Sequence, residues 1–159
     1  MKQFGGHHLV INATVVGSNI TLSPCLTGGQ PLKFNFEGQH VYIVENEALQ
    51  AHAILKSLTD AQRAKAVVST ASGDIVLRPG QDGKVLKPEG LAGAEMIDAQ
   101  KAQFLSLIAT RLSMPSADDL APKMAVIEAD LDRTTFWAVR ANRACRGCVF
   151  PHHRTDGYS

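Results

Sequence analysis

The chain has 159 residues, of which 45% are hydrophobic, 19% charged and 6% aromatic, and its formal net charge is +1. That size and balance suit one globular domain with a core and exclude a disordered chain. They give no field for nucleic acid or an anionic membrane, few rings to stack on bases, and no apolar run near the ~20 residues of a membrane span.

Met1-Lys2-Gln3 leads straight into the first motif, without the apolar core of a signal peptide. As written the chain reads as cytoplasmic, and a longer parent is compatible with export. Cys25, Cys145 and Cys148 are an odd number, which argues against a disulfide framework.

After a turn at Gly5-Gly6, His7 to Val16 alternates as a strand. One face carries His7, Leu9, Ile11, Ala13 and Val15; the other carries His8, Val10, Asn12, Thr14 and Val16. Gly17-Ser18 reads as a hairpin turn, with Gly supplying positive φ at its first position. Ile20 to Ser23 returns as a strand, and Pro24 ends it or places it at an edge. A loop at Thr27-Gly28-Gly29-Gln30-Pro31 precedes two short alternating runs, Leu32 to Phe36 and Val41 to Val44.

Asn46 is positioned to cap a helix whose apolar face is Ala51, Ile54, Leu55 and Leu58. Thr59-Asp60-Ala61-Gln62 is a capping box that opens a second helix to about Val68. Ala71 to Gly93 is a Gly/Pro-rich loop, with a short strand expected at Ile75-Val76-Leu77. Asp98 is expected to cap a third helix through about Ser113, with Leu105, Ile108 and Leu112 on its apolar face and Phe104 beside them. Ser116 is expected to cap a fourth, with Asp118 and Asp119 in its first turn. Leu120, Met124, Ile127 and Leu131 form its core stripe, and Thr134 to Val139 is β-prone.

Strands, then helices, then a strand give an α+β class. The expected architecture is an N-terminal β-hairpin and short strands packed against about four helices, with an incomplete sheet.

Three segments together resemble the bacterial domain of unknown function 3500 (DUF 3500) family: Gly6-His7-His8-Leu9 followed by Asn12; Leu58-Thr59-Asp60-Ala61-Gln62 and on to Val67; and Leu131-Asp132-Arg133-Thr134-Thr135-Phe136. The resemblance spans about residues 4–138 and implies a domain identity without a reaction. It implies a longer domain, helical ahead of the GHH strand and ending, beyond the Thr-Phe strand, near a His-x-His pair. Residues 1–139 then read as a partial domain, and 140–159 as a tail unlike the family. Shifted reading frames across Ala138–Gly147 and His152–Tyr158 permit the family-like strings G-P-G-E-P-G and I-T-G-P-T-V, so the tail is read as a frameshift product.

The candidate catalytic set is His7, His8 and Asn12. Adjacent strand residues face opposite ways, so the two histidines do not share a metal. His8, on the face of Asn12, is the candidate metal ligand or acid–base group. The resemblance implies that its partners are the downstream histidines. The cofactor these residues suggest is a divalent metal, and the partner a small molecule, with neither nucleic acid nor membrane. Cys145-x-x-Cys148 with His152-His153 is too tightly spaced for a standard zinc finger. Arg140, Arg143, Arg146 and Arg154 lack the interleaved aromatics of a nucleic-acid arm. Cys25 has no evident base beside it and reads as inert.

Two functions fit. One is a histidine-dependent, metal-assisted enzyme in the full-length form. The other is a non-catalytic binding or structural module whose histidines only pin the start of the strand. A truncated product without a competent site is a third reading.

Overall fold

The computed structural model describes residues 1–69, 85–114, 117–141 and 144–150, without the side chains of Pro24 and of residues after Val139. The strand expected at Ile75–Leu77, the cap at Ser116, and His152 and His153 lie outside the described residues. The chain divides into two compact units, Met1–Asn46 and Glu47–Ser159.

The first unit contains β1 (Lys2–Gly6), β2 (Leu9–Val16) and β3 (Asn19–Thr27), an antiparallel sheet in that order. A separate hairpin joins β4 (Lys33–Phe36) to β5 (Gln39–Tyr42). Three two-residue turns set the registers. Gly17-Ser18 closes the Val16↔Asn19 pair with Gly17 at φ 60, the positive φ at the first turn position expected from the sequence. Glu37-Gly38 closes Phe36↔Gln39, with φ 48 and 76, so both turn residues are left-handed as a type I′ turn requires.

The third turn corrects the expected strand from His7 to Val16. His7 and His8 form the turn between β1 and β2, closing the Gly6↔Leu9 pair, and β2 begins at Leu9. Gly5 and Gly6, expected as a turn, belong to β1. Glycines carry no strand signal of their own; pairing with Leu9 and Val10 across the turn makes them strand.

β3 continues past Pro24 to Thr27, as an edge strand. Register passes from Ile11↔Cys25 to Ala13↔Leu22, so Ser23 and Pro24 together oppose Asn12. Pro is tolerated at such a bulge because it removes no ladder hydrogen bond there. Asn12 is the one buried side chain among those described in this unit.

The apolar core lies in the second unit. It contains α1 (Glu45–Ser57, beginning in the first unit), α2 (Asp60–Ala66), β6 (Val67–Ser69), β7 (Leu91–Ala92), α3 (Asp98–Arg111), α4 (Ala117–Ala129), β8 (Thr135–Ala141) and β9 (Ala144–Phe150). Short 3-10 turns occupy Gly93–Glu95 and Leu131–Arg133. β8 is the central strand, parallel to β6 and antiparallel to β7 and β9.

The face expected on α1 is the buried one: Ala51, Ile54, Leu55 and Leu58 all enter the core. Its start differs, since Glu45 already belongs to the helix and Asn46 is inside it. The Thr59 box forms as expected. Gln62 donates its N–H to Thr59 Oγ1 at 3.3 Å, and Thr59 donates its N–H to Gln62 Oε1 at 3.0 Å. The helix then stops at Ala66, because the β-branched pair Val67-Val68 joins β8 as β6.

Asp98 is the first residue of α3 rather than its cap; the N–H of Ile97 is taken instead by Gln100 Oε1 at 3.1 Å. Gln100 is buried, and its Nε2 donates to the Ser57 carbonyl at 2.9 Å, so its amide is satisfied. Phe104 and Ile108 are buried as expected, together with Leu107; Leu105 and Leu112 are partly buried against them. Met124 and Ile127 of the α4 stripe pack on the same core, and Leu131 is buried in it. Phe104 meets Phe136 of β8 edge to face, with centroids 5.7 Å apart.

The fold is α+β with four helices among the described residues and small, open sheets. No described helix is long and apolar enough to cross a membrane.

Candidate functional site

The first unit places His7 and His8 at one end of its sheet. Both side chains are exposed, and their rings meet edge to face with centroids 4.3 Å apart. The turn, not a strand, makes this possible: adjacent strand residues would have faced opposite ways.

His8 sits at φ 60, in the left-handed region, and His7 does not. A type I′ turn would need both positive. Left-handed φ costs an L-residue about 1 kcal/mol, less for His than for most. The turn is tied down from behind: Gly28 donates its N–H to the His8 carbonyl at 2.9 Å.

The loop after β3 supplies the facing wall. His7, His8, Gly28 and Gly29 line an open cleft of about 430 Å³ together with Gln30, Pro31, Phe34 and Ile43. The Gln30–Pro31 peptide is cis. Ile43 is held by its own N–H, which donates to the Leu32 carbonyl at 2.9 Å. A Cβ on Gly29 would lie 2.7 Å from Ile43 Cδ1 and 3.1 Å from its Cβ, so only glycine lets the loop approach this closely.

Of the residues expected to act together, His7 and His8 share the cleft. Asn12 does not line it. It lies four residues along β2 from His8, roughly 13 Å at the rise of a strand, opposite Gln3 of β1. Among the described residues, no group of three or more His, Cys, Asp or Glu is placed to hold a metal. The histidine pair by itself supplies two nitrogen donors, short of a closed four-ligand site; a metal at His8 would need ligands from beyond the described residues.

Sequence reasoning missed the loop half of the cleft. The Gly28-Gly29 doublet before Gln30-Pro31 was its signal: two adjacent residues without side chains permit a close backbone approach.

The chain thus combines an α+β fold of small, open sheets with an exposed histidine pair lining a cleft of its first unit. The chain belongs to the family described as protein of unknown function (DUF3500), whose model matches residues 2–144. No curated protein and no solved structure matches the chain.

Proposed function

We propose that the His7–His8 cleft is the domain's small-molecule site and that His8 is its acid–base or ligand-orienting group. The carrying observation is the convergence of two exposed imidazoles on one cleft, on a turn anchored by the Gly28 N–H. Imidazole donates, accepts and exchanges protons near neutral pH, which suits it to either role. The left-handed φ of His8 supports the reading, because backbone strain collects where function demands a particular side chain. In a longer form of the domain, further histidines would complete a metal site around His8, and the site would then serve a metal-assisted enzyme. Asn12, buried in β2 and absent from the cleft lining, is left out of this site.

Ligand-observed NMR on the full chain, with a varied set of small molecules, tests this. Binders should compete for one site and be lost from the double variant His7→Ala/His8→Asn, while its amide spectrum stays that of a folded chain. Binding that survives the double variant would move the site elsewhere.

A second reading has one observation in its favour: the pair closes a two-residue hairpin turn. Here the domain is a structural or binding module and the histidines serve only the turn. Replacement by better turn residues would then leave every ligand interaction intact.

We propose also that residues 140–159 come from a shifted reading frame. The family match runs to residue 144 and so includes the first five of these residues, which leaves it in support only of a shift beyond them. The nucleotide sequence beyond the Phe136 codon decides it, since the shifted frames must encode G-P-G-E-P-G and I-T-G-P-T-V.

A further inference from the structure

We infer that the ligand of the cleft is a carboxylic acid carried on a flat, apolar body, an inference that rests on the cleft being the small-molecule site. The cleft has two unlike ends. A Cβ at Gly28 would lie 3.8 Å from His8 Cβ and Nδ1, whereas one at Gly29 would run into Ile43. Gly28 therefore borders the His8 side chain, and Gly29 is packed against Ile43.

At the polar end His7 and His8 are, among the described residues, the only ionisable ones in the lining, with no Asp, Glu, Lys or Arg beside them. An ammonium group would lose water and gain no counter-charge. A carboxylate has two oxygens, and two neighbouring imidazoles offer N–H donors to match them. Gln30, also in the lining, brings an amide that can donate a further hydrogen bond.

The other end is Pro31, Phe34 and Ile43. A ring face on Phe34 favours offset stacking with a flat partner. Phe36, two residues along β4 and so on the same face, is 61% exposed. The volume of about 430 Å³ lies in the range of small organic ligands and leaves an acid without a body mostly in water.

The test is NMR of ¹³C-labelled histidine rings in the full chain, titrated separately with 2-naphthoate, acetate and 2-naphthylmethylammonium. Two variants accompany it. His8→Asn keeps a residue that tolerates left-handed φ. Gly28→Ala adds a methyl at ordinary contact distance from His8, with no positive φ to strain it.

Naphthoate should shift the His7 and His8 signals. Acetate should bind about tenfold more weakly, through the loss of buried apolar area, and the ammonium compound should move neither signal. Each variant should weaken naphthoate about tenfold. If the ammonium compound binds as well as naphthoate at these rings, the carboxylate class falls and the site stands. If naphthoate leaves both rings unmoved, the class falls as well. If naphthoate binds undiminished to both variants, the site itself falls.

Discussion

Gly28 donates its backbone N–H to the carbonyl of His8 across 2.9 Å, joining the loop after β3 to the turn before β2. Leu9↔Thr27 is the last pair of the ladder, so this bond extends the sheet by one rung into the cleft wall. The amide of Gly28 should therefore exchange slowly with solvent, alongside the amides of β3, although its residue lies outside the strand. Amide exchange followed by NMR measures it. Exchange of Gly28 as fast as an open loop would mean that the turn and the loop are not held together.

The approach of Gly29 to Ile43 has a steric consequence. Gly29→Ala should destabilise the first unit by about 1–3 kcal/mol, the usual cost of overpacking. Adding Ile43→Val removes Cδ1, the nearest atom at 2.7 Å, and should recover part of the loss; the remaining 3.1 Å and 3.3 Å contacts prevent full recovery. Amide exchange of β4 and β5 in the single and double variants reads this out. Additive effects would show that the two residues do not meet.

Phe104 and Phe136 tie α3 to β8 through fully buried rings. Phe104→Ala should cost about 3–5 kcal/mol in denaturant unfolding. A double-mutant cycle with Phe136→Leu should return a coupling of about 0.5–1.5 kcal/mol for the edge-to-face pair. Trp137, next to Phe136 on β8, is the fluorescence reporter.

Much of the second unit was legible because its signals are local. A 3.6-residue period identified Ala51, Ile54, Leu55 and Leu58, and four consecutive residues identified the Thr59 box. The first unit was legible in its Gly17 turn and its short strands, and misread at His7-His8. Period-2 alternation runs unbroken through that turn, so the pattern alone cannot tell a strand from a strand with a two-residue corner. β1 was missed because its strand state depends on a partner across the turn. The meeting of Gly29 with Ile43 joins residues far apart in sequence, and no local pattern encodes it.

Glu95, an exposed residue, has its pKa lowered, first by a side-chain hydrogen bond from Lys65 and next by the ammonium charge and an N–H of Ala92, which together outweigh desolvation. A carboxyl depressed on folding adds stability that is present above its unfolded value and lost as pH falls through the folded one. Lys65→Met should therefore lower the midpoint of thermal unfolding slightly at neutral pH, and the difference should vanish once Glu95 is protonated. Added salt should shrink it, as for any exposed pair. A difference that grows on acidification would contradict this assignment.

On the proposed function, His8 occupies its turn for its imidazole and not for its backbone. One comparison separates the two: His8→Gly, read for ligand binding and for amide protection of β2 in the same sample. Glycine adopts φ 60 freely, so β2 protection should hold or rise by up to about 1 kcal/mol, while binding at the cleft is lost. Binding that persists at wild-type strength in His8→Gly would contradict the account and leave His8 as a turn residue.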